Sequence, residues 1–427
     1  MVKQSLAQWL QRLEGLHPRA IELGLARVAS VAAALDLLPV AVPVVSVAGT
    51  NGKGSTVAVL EALLGGSGRL AGVYTSPHIL RFNERIRVGG VEVSDEEIVA
   101  AFERIDSARG STSLTYFEFA TLAALLVFRA RQVEVMVLEV GLGGRLDAVN
   151  IVDPTVAVIT RIDLDHQDWL GDNRDSIARE KAGIMRAGRA VVIGDPEPPA
   201  ALLDCAATVG AQPVLCLGHD FGFEPGQAGS WRGRIGARIL PALPRGPLLP
   251  ENVCSALQAA SLLGVEAADG QLPELLRHAG PRGRCELWVS AGREYLLDVA
   301  HNPAAVQKMV EYSSLNHCKG KTISLFSVMA DKDIQAMIAA AGDHFEAWFV
   351  AGQPDNPRAA TGADIAAALY AAGQGMVSVS KNLRQALRRA QGVMRTGDRL
   401  VVFGSFTTVA GVLPLLETGP GGMRESL

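Results

Sequence analysis

The 427-residue chain has no long apolar run, no cysteine pair and no excess of positive charge. Its longest greasy stretch, Val28 to Ala48, carries Asp36, Pro39 and Pro43, which excludes a transmembrane helix. The five cysteines (Cys205, Cys216, Cys254, Cys285 and Cys318) are scattered, odd in number and without a C-x-x-C spacing. They frame neither a disulfide scaffold nor a zinc site, and they suit a reducing compartment. Forty Lys and Arg face 44 Asp and Glu, a formal net charge of −4. That leaves no broad basic field for nucleic acid, although a local phosphate site stays open. Tryptophan and tyrosine are scarce while Ala, Val, Leu and Gly dominate, as in parallel α/β proteins with tight βα turns. The opening Met-Val-Lys-Gln-Ser-Leu lacks the basic-then-apolar order of a secretory leader. A soluble, cytoplasmic protein is expected.

The length predicts two domains. Apolar spacing predicts helices over Leu6–Leu16 and Leu23–Leu37, before a first strand at Val44–Val47. Further strands are expected at Ala71–Tyr74, Val133–Val140, Val156–Thr160 and Ala190–Ile193. Helices are expected from Ser94, opened by a capping box with Glu97, over Tyr116–Arg129 and over Ser176–Arg186. Pro196 to Pro250 is rich in Gly and Pro and reads as irregular strands. Asn252–Leu263 and Leu272–Ala279 read as helices, and Gly280-Pro-Arg-Gly283 as an interdomain hinge. Five βα-type strands then follow, at Tyr295–Val299, Thr322–Phe326, Ala347–Val350, Met376–Val379 and Leu400–Phe403. They predict a smaller, Rossmann-like C-terminal domain, without the G-x-G-x-x-G of a dinucleotide site. The domains expected are 1–280 and 284–427, and the Gly/Pro-rich tail from Thr418 is expected to fray.

The most informative segment is Val45-Ser-Val-Ala-Gly49-Thr-Asn-Gly-Lys53-Gly-Ser55-Thr56. A strand, a glycine turn, one lysine and then a helix is the layout that presents backbone N–H groups to a polyphosphate. The segment misses the Walker A pattern twice, with Val47 at the first glycine position and Gly54 after the lysine. Alone, such a loop is as well read as a surface turn. Glu139 closes an apolar strand and is followed by Val-Gly-Leu-Gly-Gly-Arg-Leu-Asp147, a carboxylate placed as a magnesium site beside a triphosphate requires. A strand-end glutamate in solvent is the plain alternative. His166, in an Asp-rich loop, would by itself more often pack or hydrogen-bond than hold Mg²⁺. Lys181 alone would be a solvated helix lysine. Asp298 and His301 stand at the end of a C-terminal strand, where open α/β sheets build sites, while Asn302 before Pro303 reads as an N-cap.

In order along the chain, Ala48–Ser55, Tyr74-Thr-Ser-Pro-His-Ile79, Leu114-Thr-Tyr-Phe-Glu118, Leu138–Asp147, Leu164–Leu170, Arg179–Ile184, Asp298–Pro303 and Gly404–Thr407 resemble the bacterial bifunctional dihydrofolate synthase/folylpolyglutamate synthases, a family of Mur-type ligases. The resemblance spans nearly the whole chain. It implies an α/β protein with an N-terminal P-loop-type ATP-binding domain built on a parallel sheet. It assigns Thr50, Asn51, Gly52, Lys53, Gly54 and Ser55 to the ATP phosphates, and Asn252, Arg284 and Asp298 to other nucleotide contacts. Ser76, Glu139 and His166 match magnesium ligands, and Lys181 matches a lysine carried as a carbamate for a second Mg²⁺. Gly15, Leu16, His17, Pro18, Thr115, Tyr116 and Phe117 match the pterin-substrate region, with Arg145 and Leu146 beside it. His301 and Ser405 fall in C-terminal segments that meet the closed site, His301 with a catalytic role. Val149 and Val253 depart from the family's usual residues without touching an assigned group.

The implied chemistry is amide formation. ATP with Mg²⁺ would activate the carboxylate of dihydropteroate, or of a folate's glutamate tail, as an acyl phosphate for attack by L-glutamate. Two domains closing over ATP would keep water from that intermediate. A monomer acting on small molecules, with neither nucleic acid nor membrane as partner, is expected. Two rivals stay open: another Mur-type ligase, including a monofunctional folylpolyglutamate synthase, and a P-loop NTPase without ligase activity. Gly54 and the roughly 40 residues before the phosphate strand argue against a UDP-peptide ligase. Asp298, His301 and Ser405 argue against a bare switch.

Overall fold

Parallel strands covered on both faces need unbroken apolar runs, and the first half of the chain supplies them. The structure, a computed structural model, describes residues 4–19, 21–417 and 423–424. It divides into two compact units, Met1–Ala279 and Gly280–Leu427. In the first, the strands are β1 (Val44–Ala48), β2 (Ala71–Tyr74), β3 (Ile86–Val88), β4 (Val91–Glu92), β5 (Val135–Glu139), β6 (Val156–Ile159), β7 (Ala190–Ile193) and β8 (Val214–Cys216). The helices are α1 (Leu6–Glu14), α2 (Ala26–Ala34), α3 (Lys53–Gly66), α4 (Asp95–Arg109), α5 (Tyr116–Ala130), α6 (Gln167–Leu170), α7 (Arg174–Ala182), α8 (Ala200–Val209), α9 (Pro250–Leu262) and α10 (Leu272–His278).

The eight strands form one sheet in the order β4-β3-β2-β5-β1-β6-β7-β8. The run from β2 to β8 is parallel, and β3 and β4 add an antiparallel edge. Successive residues of β1 serve opposite cores: Val45 and Val47 pack with α3 and α9, Val44 and Ala48 with α2 and α5. The connection out of β1 leads towards β2 and that out of β6 towards β7. The sheet therefore reverses direction between β1 and β6, and the crevice at their carboxyl ends is where open α/β sheets bind ligands. The Gly49–Gly52 turn and the Asp-rich loop both open there.

One local expectation is corrected. Pro196 to Pro250 is more regular than its composition suggests. It holds α8, which runs from Pro199 as N-cap to Gly210 in a left-handed C-cap, and a three-stranded antiparallel sheet of β9 (Phe221–Pro225), β10 (Ser230–Ile235) and β11 (Arg238–Pro244). Trp231, Leu240 and Leu243 of this small sheet pack on the α3/α9 side of the core, so tertiary burial overrides the Gly/Pro content. Leu114-Thr-Tyr-Phe-Glu118 is itself a capping box at the head of α5. Thr115 Oγ1 accepts from Glu118 N at 3.2 Å, and Glu118 accepts from Thr115 N at 2.7 Å. The buried Glu118 carboxylate also takes Arg27 at 3.1 Å. Thr115→Ala should cost about 1 kcal/mol of stability, read as a lower midpoint in urea unfolding with an unchanged slope.

The second unit contains β12 (Glu286–Ser290), β13 (Arg293–Leu297), β14 (Thr322–Phe326), β15 (Trp348–Ala351), β16 (Val377–Ser380), β17 (Arg399–Phe403) and β18 (Met423–Arg424). Its helices are α11 (Pro303–Leu315), α12 (Ile334–Ala341), α13 (Gly362–Ala371), α14 (Leu383–Val393) and α15 (Phe406–Glu417). The sheet order is β16-β15-β14-β17-β13-β12-β18, parallel from β16 to β13. β12 and β18 are antiparallel additions that a βα alternation does not announce. Of the tail expected to fray, Met423–Arg424 is paired to β12, and the remainder lies outside the described residues.

Candidate active site

The first amides of a helix have no partner within it, and α3 begins at the lysine of the glycine turn. Gly52, its N-cap, holds φ at 94°, a left-handed conformation that favours glycine. A Cβ there would also collide with Oδ1 of Asn252, so the expected nucleotide asparagine is packed directly on the turn. The helix's first i to i−4 bond is Thr56 N to Gly52 O at 2.9 Å. The N–H groups of Lys53, Gly54 and Ser55 precede it and form the anion-facing end of α3.

Thr50 and Asn51 also hold the turn against its neighbour. Their amides donate to Arg161 O at 2.8 and 3.3 Å. Thr50 Oγ1 donates to Asp163 O at 3.0 Å and accepts from Asp163 N at 3.0 Å. These two residues tie the turn to the Asp-rich loop.

Two lysines meet on one carbonyl. Lys53 Nζ donates to Gly49 O at 2.9 Å and to Thr50 O at 3.3 Å, and Lys181 Nζ donates to Gly49 O at 2.9 Å. Lys181, on α7, is not the solvated lysine its helix would suggest: it is 4% exposed. Burial, and then the charge of Lys53, bring its ammonium down to about 7. Such a lysine is poised to be a neutral amine.

Glu139, at the end of β5, is buried, and its Oε2 accepts from Ser76 N at 3.2 Å. A Cβ on Gly54 would stand 3.9 Å from Glu139 Oε1, so the carboxylate lies beside the start of α3. A serine hydroxyl and a carboxylate next to a phosphate-binding helix end are the hard oxygen donors that Mg²⁺ takes in nucleotide sites. His166 is exposed and lies 3.9 Å from Asp165. Among the described residues no three His, Cys, Asp or Glu side chains converge as a ready-made cage. Ser76 and Glu139, beside the start of α3, fit a magnesium ion that shares its ligands with substrate phosphates.

Asp147 closes the glycine-rich motif after Glu139. It is fully enclosed and accepts from Gly141 N, Leu142 N and Val149 N at 3.1, 2.8 and 3.0 Å. Burial lifts its carboxyl to about 6. Arg145 is exposed and pairs with Glu180 at 2.8 Å, one residue before Lys181. Leu146 O accepts from Gly24 N at 3.2 Å, which brings the chain just before α2 to this loop. The expected segment Gly15 to Pro18 makes local contacts. Gly15 caps α1, Leu16 packs on the main core, and the buried His17 binds the Arg19 carbonyl at 3.0 Å. Tyr116 and Phe117 are half-buried at the head of α5. Tyr116 meets Phe82 edge-on at 5.9 Å, and Phe117 lies 5.9 Å from Tyr74 and against Gly141.

In the second unit, Asp298 is buried and accepts from Cys285 N and Ala300 N at 2.8 and 2.7 Å, its carboxyl raised by burial. The guanidinium of Arg284 lies 5.1 Å from the Phe406 ring, and the His301 ring 5.9 Å from it. The N-cap expected of Asn302 is present, with Ala305 N donating to it at 2.9 Å. Ser405 accepts from Thr408 N at 3.1 Å, a capping duty at the start of α15.

Residues 47–204 match the model of the Mur ligase middle domain, and residues 283–406 that of the Mur ligase glutamate ligase domain. The dihydrofolate synthase/folylpolyglutamate synthase of Escherichia coli K12 is 40% identical over 418 residues, 98% of this chain and 97% of that one. The structure of E. coli FolC in complex with DHPP and ADP superposes with a TM-score of 0.91 at 39% identity, covering 97% of this chain and 98% of that one. A bifunctional folylpolyglutamate synthase/dihydrofolate synthase with Mn, AMPPNP and L-glutamate bound superposes at 0.89 with 40% identity, over 97% and 98% of the two chains. The loop, the strand-end carboxylate and the lysine pair thus sit in a chain that belongs to the dihydrofolate synthase/folylpolyglutamate synthase family.

Proposed function

We propose that the protein is an ATP-dependent carboxylate–amine ligase that adds L-glutamate to dihydropteroate, giving dihydrofolate, and to the glutamate tail of folates. The observation that carries this reading is the meeting of Lys53 and Lys181 on Gly49 O, at the head of a helix with Glu139 beside it. Relatives that bind ADP with DHPP, and AMPPNP with Mn and L-glutamate, support the same substrates here.

The chain's own groups divide the work. The amides of Lys53, Gly54 and Ser55 would hold the terminal phosphates of ATP, and Lys53 Nζ would swing from the turn carbonyls to the oxygens between β- and γ-phosphorus. Mg²⁺ held by Ser76, Glu139 and His166 would supply the further positive charge that phosphoryl transfer needs. A carboxylate oxygen of the acceptor attacks γ-phosphorus, ADP leaves, and an acyl phosphate forms. The neutral amine of L-glutamate attacks its carbonyl carbon, phosphate leaves, and the amide remains. Lys181, converted by CO₂ to a carbamate, would present two more oxygens beside the turn. Asn252, Arg284 and Asp298 are the proposed further nucleotide contacts, with His301 as a catalytic group and Ser405 at the substrate. Tyr116, Phe117, Arg145 and Leu146 are proposed to line the acceptor. The five unpaired cysteines support a cytoplasmic setting, and a monomer is proposed.

The test is phosphate release from ATP with dihydropteroate and with tetrahydrofolate in parallel, each with and without L-glutamate. Release that needs both acceptor and glutamate, with either acceptor, is expected. Release with tetrahydrofolate alone would leave a monofunctional folylpolyglutamate synthase, and release without any acceptor a plain NTPase. Tyr116→Ala should raise KM for dihydropteroate more than for tetrahydrofolate, by about tenfold if a flat ring packs on it. Equal effects would return Tyr116 to the core.

A further inference from the structure

A guanidinium taken out of water is costly unless a carboxylate meets it. Two arginines are buried among the described residues, Arg399 at 4% and Arg85 at 8% exposure. Arg399 obeys the rule, with Glu294 at 2.6 Å. Arg85 has no carboxylate within ion-pair distance among the described residues. Its Nε donates to His78 Nδ1 at 2.8 Å, and its charged plane lies 5.6 Å from the Phe82 ring and 5.5 Å from the Tyr116 ring. Glu84, its neighbour in sequence, is committed elsewhere, accepting the amides of Ile79, Leu80 and Arg81.

The position is as telling as the missing anion. Arg85 O accepts from Thr75 N at 2.9 Å, so Arg85 is tied to the strand end that carries Ser76. Its side chain reaches from His78, two residues past Ser76, to Tyr116 at the head of α5. One end of this span adjoins the groups assigned to metal and phosphate, and the other the ring assigned to the acceptor. A neutral histidine and two aromatic faces orient the guanidinium without neutralising it.

We propose that Arg85 anchors a carboxylate of the acceptor substrate, the molecule being lengthened. The assignment rests on the ligase reading above. Two carboxylates carry this chemistry: the one to be activated, present on dihydropteroate and folates alike, and the additional one that a glutamate tail brings.

The experiment is steady-state kinetics of Arg85→Met and Arg85→Lys with each acceptor, at saturating ATP, with KM for L-glutamate measured separately. Arg85→Met keeps an apolar stem beside the rings and removes the charge. A rise of tenfold or more in acceptor KM is expected, with Arg85→Lys recovering part of it and KM for glutamate unchanged. A rise with both acceptors identifies the reacting carboxylate, and a rise with tetrahydrofolate only identifies the tail. Unchanged acceptor KM in a folded Arg85→Met protein overturns the proposal, as does a rise in KM confined to L-glutamate. A variant that melts early is answered by Arg85→Lys, which must then separate acceptor KM from glutamate KM in the same way. Wild-type protein that ligates neither acceptor refutes the ligase reading instead, so the two failures are distinct.

Discussion

Lys53→Ala should leave a folded protein that ligates glutamate about a thousandfold more slowly or worse. The side chain is partly exposed, and its ammonium donates to Gly49 O and Thr50 O of its own turn. Its removal takes a point charge away from the turn. Charge moving from the γ-phosphorus to the β-phosphate oxygens in the transition state would lose its cationic partner in the turn. Both acceptors should be affected alike, since both reactions pass through the same phosphoryl transfer. The check is kcat/KM with each acceptor, alongside a thermal melt. A folded Lys53→Ala protein with near-normal turnover would remove the turn from the mechanism.

Lys181→Ala should lose on the order of a hundredfold in kcat/KM and regain part of it with added formate or acetate. The amine is enclosed, and its acidity is set first by burial and then by Lys53. With the ammonium at about 7 rather than the ordinary lysine value, more than half of the residue is neutral amine at pH 8. Neutral amine adds to CO₂ with loss of a proton, and the carbamate so formed is an anion beside Lys53, relieving the repulsion that lowered the amine. Reactivation of CO₂-stripped enzyme at fixed dissolved CO₂ should therefore rise with pH through about 7 and level off above about 8. An ordinary lysine would keep gaining about tenfold per unit up to pH 9 and beyond. Full activity in Lys181→Ala would exclude the carbamate, and a reactivation profile without a plateau would exclude the lowered amine.

The parts of this protein that were legible in its sequence are those where backbone geometry and chemistry coincide. A phosphate turn needs its glycines because side chains elsewhere press on it, as Asn252 does on Gly52 and Thr160 on Gly49. Glu139 could be placed because a buried strand ends there. The meeting of Lys53 and Lys181 could not, since 128 positions separate them and only the fold brings both to Gly49 O. Thr115 shows a different limit. Thr-x-x-Glu satisfies a helix N-terminus whatever else it does, so a motif assigned to substrate also has a full structural reason. α8 and the antiparallel β12 fall outside the patterns used, the first within Gly/Pro-rich chain and the second before the βα alternation resumes. Arg85 was silent because an unpaired charge is visible only once its surroundings are known.

The account's central claim is that a substrate carboxylate becomes an acyl phosphate. Dihydropteroate labelled with ¹⁸O in its carboxylate tests it in one turnover experiment with ATP and L-glutamate. Attack of that carboxylate on γ-phosphorus followed by amine attack on carbon must leave one labelled oxygen in the released phosphate. Phosphate carrying a single ¹⁸O, in step with dihydrofolate formed, is the predicted result. Unlabelled phosphate from a reaction that still forms dihydrofolate would contradict it.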